Sequence, residues 1–417
     1  MLEARPASAP RSRPRRRDAR RPIRVLHVVP ALAGGGMERA LIRLIQCTTR
    51  SAGRRAPSLI HGVCVLKGAE PALLEQCAAH ARVWVFEAGR HGRVPAWLCW
   101  WRLRKVFRRF RPEVVHARGT GAWFDAVMAG RTLPGTRLVL SFHGKERLGP
   151  PGRRRQWINR WAASRADALL TVSRESAGQL RRDYRLPADK VAVLHNGVDT
   201  ERFRPPEKDE ARRIRARLGL GPRDRVVACV ANLLPIKAVD VLLRAWSQVS
   251  AGDPGARLLL IGDGPLRPSL EDFARATGIA SSVRFLGARE DVPELLRTAD
   301  LSVLPSRYEA CSNAILEALA TGLPAIACDV GGNRELIVPR STGWLVEPDS
   351  PARLADVLTC ALLDDPARRR MGAQARRTAV ESFGLSAWAA RYVRLYRSLA
   401  GKSPGPRGRR EGPACAE

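Results

Sequence analysis

From Ile23 onward, short runs of β-branched and aliphatic residues alternate with longer stretches whose apolar positions recur every three or four residues. The runs IRVLHVV, SLIHGVCVL, RVWVFEA, EVVHA, RLVLSFHG, ALLTVS and KVAVLHN read as strands, with amphipathic helical stretches between most of them. The alternation restarts at Arg225 with RVVACVANL, then RLLLIGDG, VRFLG, LSVLP, PAIACD and GWLVE. Strands that alternate with helices form parallel sheets covered on both faces, so two such series predict an α/β chain of two Rossmann-like, doubly wound domains. The turn-rich stretch HNGVDTERFRPPEK (His195 to Lys208) is the expected hinge. The predicted organisation is a first domain over 23–198, a second over 199–384, and a last helix over 385–400 that can pack back on the first. Tails 1–22 and 401–417, rich in Pro, Gly and Arg, are expected to be disordered.

In open parallel sheets, ligands sit beyond the carboxyl ends of the strands, and the candidate chemistry clusters there. Glu309 falls in the loop after LSVLPS, and Glu317 lies in a helix expected over Asn313 to Ala320, with Ser312 as its cap. The helix opening favours a phosphate, and carboxylates accept strongly from sugar hydroxyls, so the pair suits sugar transfer from a nucleotide donor. Two glutamates at this spacing would mean little without their position. Gly34 to Gly36 follow the first strand and precede a helix beginning near Met37, which lets backbone N–H groups approach a ligand closely. His143 ends RLVLSF and enters a loop that should face the crevice, and His116 stands in a similar position in EVVHA.

Length and charge narrow the picture. A chain of 417 residues suits two domains, each able to bury a full core. No apolar stretch reaches the roughly 18 residues of a spanning helix, and no apolar segment follows the basic N-terminus. Nine cysteines form no C-x-x-C pair, so neither a zinc cluster nor a disulfide framework is signalled and a cytoplasmic location is expected. The net charge of +32 is unevenly spread: residues 23–198 hold 31 basic and 11 acidic side chains, whereas 199–400 hold 29 and 25. Because the asymmetry comes from missing acids, arginine-rich codon usage does not explain it, and the first domain is expected to face something anionic.

The order and spacing of these segments resembles the retaining family-4 glycosyltransferases of the GT-B fold, from about Ile23 to Leu399. The resemblance rests on Gly34-Gly35-Gly36-Met37-Glu38, EVVHARG, SFHG, TVSRES, HNGVDTERF, ANLLPIKAVDVLLRA, LLLIGDGP, VRFLGAREDVPELL, the Glu309 to Glu317 segment and GGNRELI. Among members the chain looks most like sugar transferases of bacterial exopolysaccharide clusters. The resemblance implies two domains facing across a cleft and a UDP- or GDP-linked sugar as co-substrate, with no cofactor and no metal; no Asp-x-Asp motif is present. It implies catalytic roles for Glu309, which would stabilise charge developing at the anomeric carbon, and for His143, which would touch the donor sugar. It implies donor contacts from Gly35, Gly36 and Lys237, from Ser312 and Asn313 on the diphosphate, and from Glu317 on the ribose. Arg289 and Glu290, with Gly262 and Gly264, fall where members hold the base. One departure stands out: Asn232 occupies the position of a phosphate-binding arginine, and Ala231 and Ala238 replace glycines. More of the diphosphate charge should then rest on Lys237 and the helix opening.

The implied acceptor is a glycan or a lipid-linked molecule. A helix expected after Pro95 places Cys99, Trp100, Leu103, Val106, Phe107 and Phe110 on one face, the core side, at about 100° per residue. Trp97, Trp101, Arg104, Lys105 and Arg108 fall on the other. Tryptophans among basic side chains suit an anionic bilayer surface, and RRRQWINRW (Arg153 to Trp161) repeats the composition. The expectation is a peripheral protein on the inner face of the cell membrane. Two readings compete: a nucleotide-sugar epimerase or inactive relative of the same fold, and a polyanion-binding protein, although no recognised nucleic-acid module is visible.

Overall fold

The first series of apolar runs forms β1 (Ile23–Val29), β2 (Leu59–Val65), β3 (Arg82–Val85), β4 (Val114–Arg118), β5 (Arg137–Phe142), β6 (Ala168–Thr171) and β7 (Val191–Val193). They pair in parallel as one seven-stranded sheet, ordered β3-β2-β1-β4-β5-β6-β7. The second series forms β8 (Arg225–Val230), β9 (Ala256–Ile261), β10 (Val283–Gly287), β11 (Leu301–Leu304), β12 (Ala325–Cys328) and β13 (Gly343–Val346), a six-stranded parallel sheet ordered β10-β9-β8-β11-β12-β13. This computed structural model describes residues 21–33, 35–50, 59–88, 99–144, 152–186 and 190–401. Gly34, Trp97, residues 1–20 and residues 402–417 lie outside them.

Helices around the first sheet are α1 (Gly36–Arg50), α2 (Pro71–Ala78), α3 (Cys99–Phe110), α4 (Trp123–Gly130), α5 (Arg153–Ala163) and α6 (Arg174–Tyr184). Those of the second series are α7 (Glu210–Arg217), α8 (Val239–Gly252), α9 (Arg267–Ala276), α10 (Val292–Leu296), α11 (Asn313–Thr321), α12 (Asn333–Leu336), α13 (Pro351–Leu363), α14 (Asp365–Phe383) and α15 (Leu385–Ala400). Strand order reverses between β1 and β4 in one sheet and between β8 and β11 in the other. Such reversals open a crevice at the carboxyl ends of the strands, and the loops after β1 and β11 both enter it.

Alternation along the central strands gives the first sheet two cores. Leu26, Val28, Val115, Ala117 and Leu140 face α3 and α4, while Val25, Val114 and Val139 lie beneath Trp388, Tyr392, Tyr396 and Leu399 of α15. The last helix thus crosses from the second domain onto the first. One layer of this second face is polar. His27 Nε2 lies 3.1 Å from His61 Nδ1, His61 Nε2 lies 2.7 Å from Thr48 Oγ1, and His116 Nδ1 lies 2.7 Å from the Tyr396 hydroxyl. His116 is therefore a core residue rather than a crevice one, because its side chain is on the strand face that α15 covers.

The described part of α3 begins at Cys99, and Cys99, Leu103, Val106, Phe107 and Phe110 are buried. Trp100, expected on the core side, is only half-buried, since it sits at the margin of that stripe with its ring edge-on to Trp101 at 5.6 Å. Trp101 is 47% exposed under the Arg104 guanidinium, and Trp157 on α5 is 68% exposed. Among the described residues no helix is long and apolar enough to cross a membrane.

Candidate active site

β11 delivers the chain into the crevice, and the loop that follows it is held on several sides. Glu309 Oε1 accepts from Ser306 Oγ at 2.8 Å and from Lys237 Nζ at 2.6 Å. Its carbonyl accepts from Gly332 N at 3.0 Å. At Gly331, with φ +53°, an added Cβ would stand 1.8 Å from that same carbonyl oxygen, so only glycine lets the 331–332 turn back the Glu309 loop. Lys237 arrives from a 3₁₀ turn before α8, whose entry places Ala238 at φ +50°.

Ser312 caps α11 by accepting from Ile315 N at 3.3 Å. The helix carries Glu317 inward, and its Oε1 accepts from Arg43 Nη2 of α1 at 2.6 Å. A second contact crosses the cleft at the other end of this helix pair, where Asn313 Nδ2 donates to Gly36 O at 3.4 Å. The two domains therefore meet through the opening turns of α1 and α11. Behind them His143 Nε2 lies 2.8 Å from Ser141 Oγ, and burial, with Arg118 second, pushes its imidazole down to about 3. At neutral pH it is an uncharged hydrogen-bonding group. The next residue, Gly144, has φ +104°, and a Cβ there would come within 2.8 Å of the Ala310 side chain. The loops after β5 and β11 are thus in contact.

Together these elements enclose a crevice of about 480 Å³. Its lining includes Gly35, Gly36, His143, Asn232, Lys237, Arg289, Glu309, Ser312, Asn313 and Glu317. Glu290 is not part of it: the residue is exposed, and its carbonyl accepts from Arg202 Nη2 at 3.0 Å. Arg289 lines the crevice but is ion-paired with Asp291 at 2.6 Å. Gly262 lines it and Gly264 does not; both let their loop pass the β8 loop, since a Cβ would meet the carbonyl oxygens of Ala231 at 2.0 Å and Leu233 at 2.6 Å. Trp101, Arg104, Lys105 and Arg108 lie on α3, apart from this lining.

The polar crevice residues that the sequence did not single out include Arg39, Arg43, Asp263 and Tyr308. The available signal was Arg39 and Arg43 at a spacing of four, just after a glycine run, which puts two cations on one helix face.

Residues 25–202 match the family model Glycosyltransferase Family 4, and residues 210–378 match Glycosyl transferases group 1. The chain is 31% identical over 336 residues to Alpha-D-kanosaminyltransferase of Streptomyces kanamyceticus, covering 75% of this chain and 85% of that one. It is 37% identical over 219 residues to D-inositol 3-phosphate glycosyltransferase of Nocardia farcinica (strain IFM 10152), half of this chain (50%) and 48% of that one. Among solved structures, Anabaena Alr3699/HepE in complex with UDP superposes with a TM-score of 0.78 over 90% of this chain and 100% of that one, at 20% identity. WaaG, a glycosyltransferase involved in lipopolysaccharide biosynthesis, superposes with a TM-score of 0.70 over 89% and 99%, also at 20% identity. With two facing parallel-sheet domains and a cleft between them, the chain belongs to glycosyltransferase family 4, has the GT-B fold, and is a glycosyltransferase.

Proposed function

We propose that this glycosyltransferase takes its sugar from a nucleoside diphosphate and passes it, with retention of configuration, to a glycan or lipid-linked acceptor in bacterial polysaccharide or glycoconjugate synthesis. The observation that supports this best is Glu309, buried at the carboxyl end of β11 and bonded to Lys237 at 2.6 Å. Lys237 and the opening turn of α11 offer positive charge to a diphosphate without calling on a metal. In this reading Glu317, one helical turn further, accepts from ribose hydroxyls, and neutral His143 meets the donor sugar. The UDP bound to Alr3699/HepE favours UDP as the donor nucleotide.

In this reading the bond from the anomeric carbon to the β-phosphate oxygen breaks, and its electron pair stays on the phosphate. The acceptor hydroxyl attacks from the same face, and its proton passes to the departing phosphate oxygen. Glu309 offers its free oxygen to the sugar while Oε1 is held by Ser306 and Lys237, so negative charge stands beside the carbon that becomes cationic. The anomeric form of the sugar released by slow donor hydrolysis tests this: proton NMR should first detect the α-sugar from a UDP-α-sugar, and the β-sugar as first product would overturn retention.

The α3, α4 and α5 side of the first domain supports a peripheral membrane location. It exposes Trp101, Phe124 and Trp157 among Arg104, Lys105, Arg108, Arg153 and Arg154. Such a surface fits the headgroup region of anionic lipid and would bring a lipid-linked acceptor to the cleft.

A further inference from the structure

The crevice is lined by four cations, Arg39, Arg43, Lys237 and Arg289, and by three carboxylates, Asp263, Glu309 and Glu317. Every carboxylate is already engaged: Glu317 with Arg43 at 2.6 Å, Glu309 with Lys237 at 2.6 Å, and Asp263 with Arg267 at 3.2 Å. Arg289 is paired with Asp291. Among the described residues, only the Arg39 guanidinium of these four cations has neither an ion pair nor a hydrogen bond. It is the positive charge left over once the crevice has neutralised itself.

Its place follows from two contacts. Asn313 Nδ2 to Gly36 O and Arg43 Nη2 to Glu317 Oε1 set α1 beside α11 with their first turns together. Arg39 is four residues before Arg43, hence on the same face of α1 and one turn nearer the opening of α11. Asn232, which lines the crevice from the second domain, has a neutral side chain.

We infer that Arg39 is a donor-binding residue supplied across the cleft, which pairs with the diphosphate and provides the charge that Asn232 does not. The inference rests on the donor reading given above. The diphosphate is then gripped from both domains, Lys237 on one side and Arg39 on the other, and nucleotide affinity depends on the first domain as well as the second. A guanidinium also matches the fork of phosphate oxygens, which a lysine would not.

Titration calorimetry with UDP, and with uridine as the phosphate-free control, tests this on the full chain and on Arg39→Gln, Asn232→Arg and the double variant. Arg39 is exposed, so the unliganded melting temperature should be unchanged. Arg39→Gln should weaken UDP binding at least fivefold and leave uridine binding as it was. Asn232→Arg should restore most of that loss in the Arg39→Gln background and gain clearly less in the otherwise native chain. A UDP loss below fivefold, an equal loss for uridine, or an equal gain from Asn232→Arg in both backgrounds would overturn the role of Arg39 while leaving the donor reading intact. Failure of the native chain to bind UDP or GDP would remove the donor reading, and the role of Arg39 with it.

Discussion

Glu335 Oε2 of α12 lies 2.8 Å from His195 Nε2, which joins the second domain to the chain segment that leaves the first. The same carboxylate accepts from Arg174 N at 2.8 Å and Glu175 N at 3.2 Å, so an acid of one domain caps α6 of the other. Three residues earlier, Gly332 N holds the Glu309 carbonyl. A short turn thus ties the Glu309 loop to both the segment that leaves the first domain and the opposite domain. Tyr308, next to Glu309, adds a hydrogen bond to Gln179 of α6 at 2.8 Å.

Glu335→Ala should therefore cost about 2 kcal/mol, the scale of a lost charged acceptor, and loosen the domains. Small-angle scattering should show a larger radius of gyration for the variant, with Glu335→Gln between it and the native chain. Identical scattering curves and melting temperatures would show that the contact does not hold the domains together.

The buried histidines predict acid sensitivity. Burial, with Arg118 second, pushes His61 down to about 3 from 6.5, and burial also holds His27 and His116 well below their ordinary value. A histidine with a depressed folded pKa binds more protons when unfolded, so its stability is complete above pH 6.5 and is lost as pH falls toward 3. At pH 5 His61 alone should cost about 2 kcal/mol. Melting temperature should stay level from pH 8 to 7 and drop below about 6.5. His61→Asn, which has no proton to gain, should lose less between pH 7 and pH 5 than the native chain does; an equal loss would contradict this.

The exposed tryptophans predict selective adsorption. Sedimentation with anionic phosphatidylglycerol vesicles should pull down the native chain, and neutral phosphatidylcholine vesicles should not. Trp101→Ser combined with Trp157→Ser should reduce anionic binding about tenfold, since each ring offers a large amphipathic surface to the interface. Equal binding to both lipids, or none, would remove the membrane claim.

Much of this architecture is legible in the sequence because local chemistry writes it there. Runs such as IRVLHVV and RVVACV are apolar on both faces, as strands buried in a parallel sheet must be, and Ser312 before NAILEAL announces a helix start. Contacts across the cleft leave no such trace. Arg43 and Glu317 are 274 positions apart, and although Arg39 and Arg43 share a helix face after the glycine run, nothing local tells which distant carboxylate Arg43 reaches. His116 looked like a crevice residue because it is close to a strand end; its burial depends on α15, which returns from 280 residues later to put Tyr396 over it. Glu290 was placed with Arg289 by the resemblance, and the loop after β10 takes Arg289 into the crevice lining and leaves Glu290 exposed.

The most direct test of the donor site is titration calorimetry of UDP- and GDP-linked sugars against the native chain, Lys237→Ala and Glu309→Gln. The native chain should bind one donor molecule per chain, and Lys237→Ala should bind it at least tenfold more weakly. Glu309→Gln should keep its affinity within threefold while transfer or donor hydrolysis falls by about 10²–10³, as expected when a group stabilises charge that exists only in the transition state. Absence of binding by the native chain across both nucleotide series, or native-like affinity in Lys237→Ala, would contradict the assignment of this crevice as the donor site.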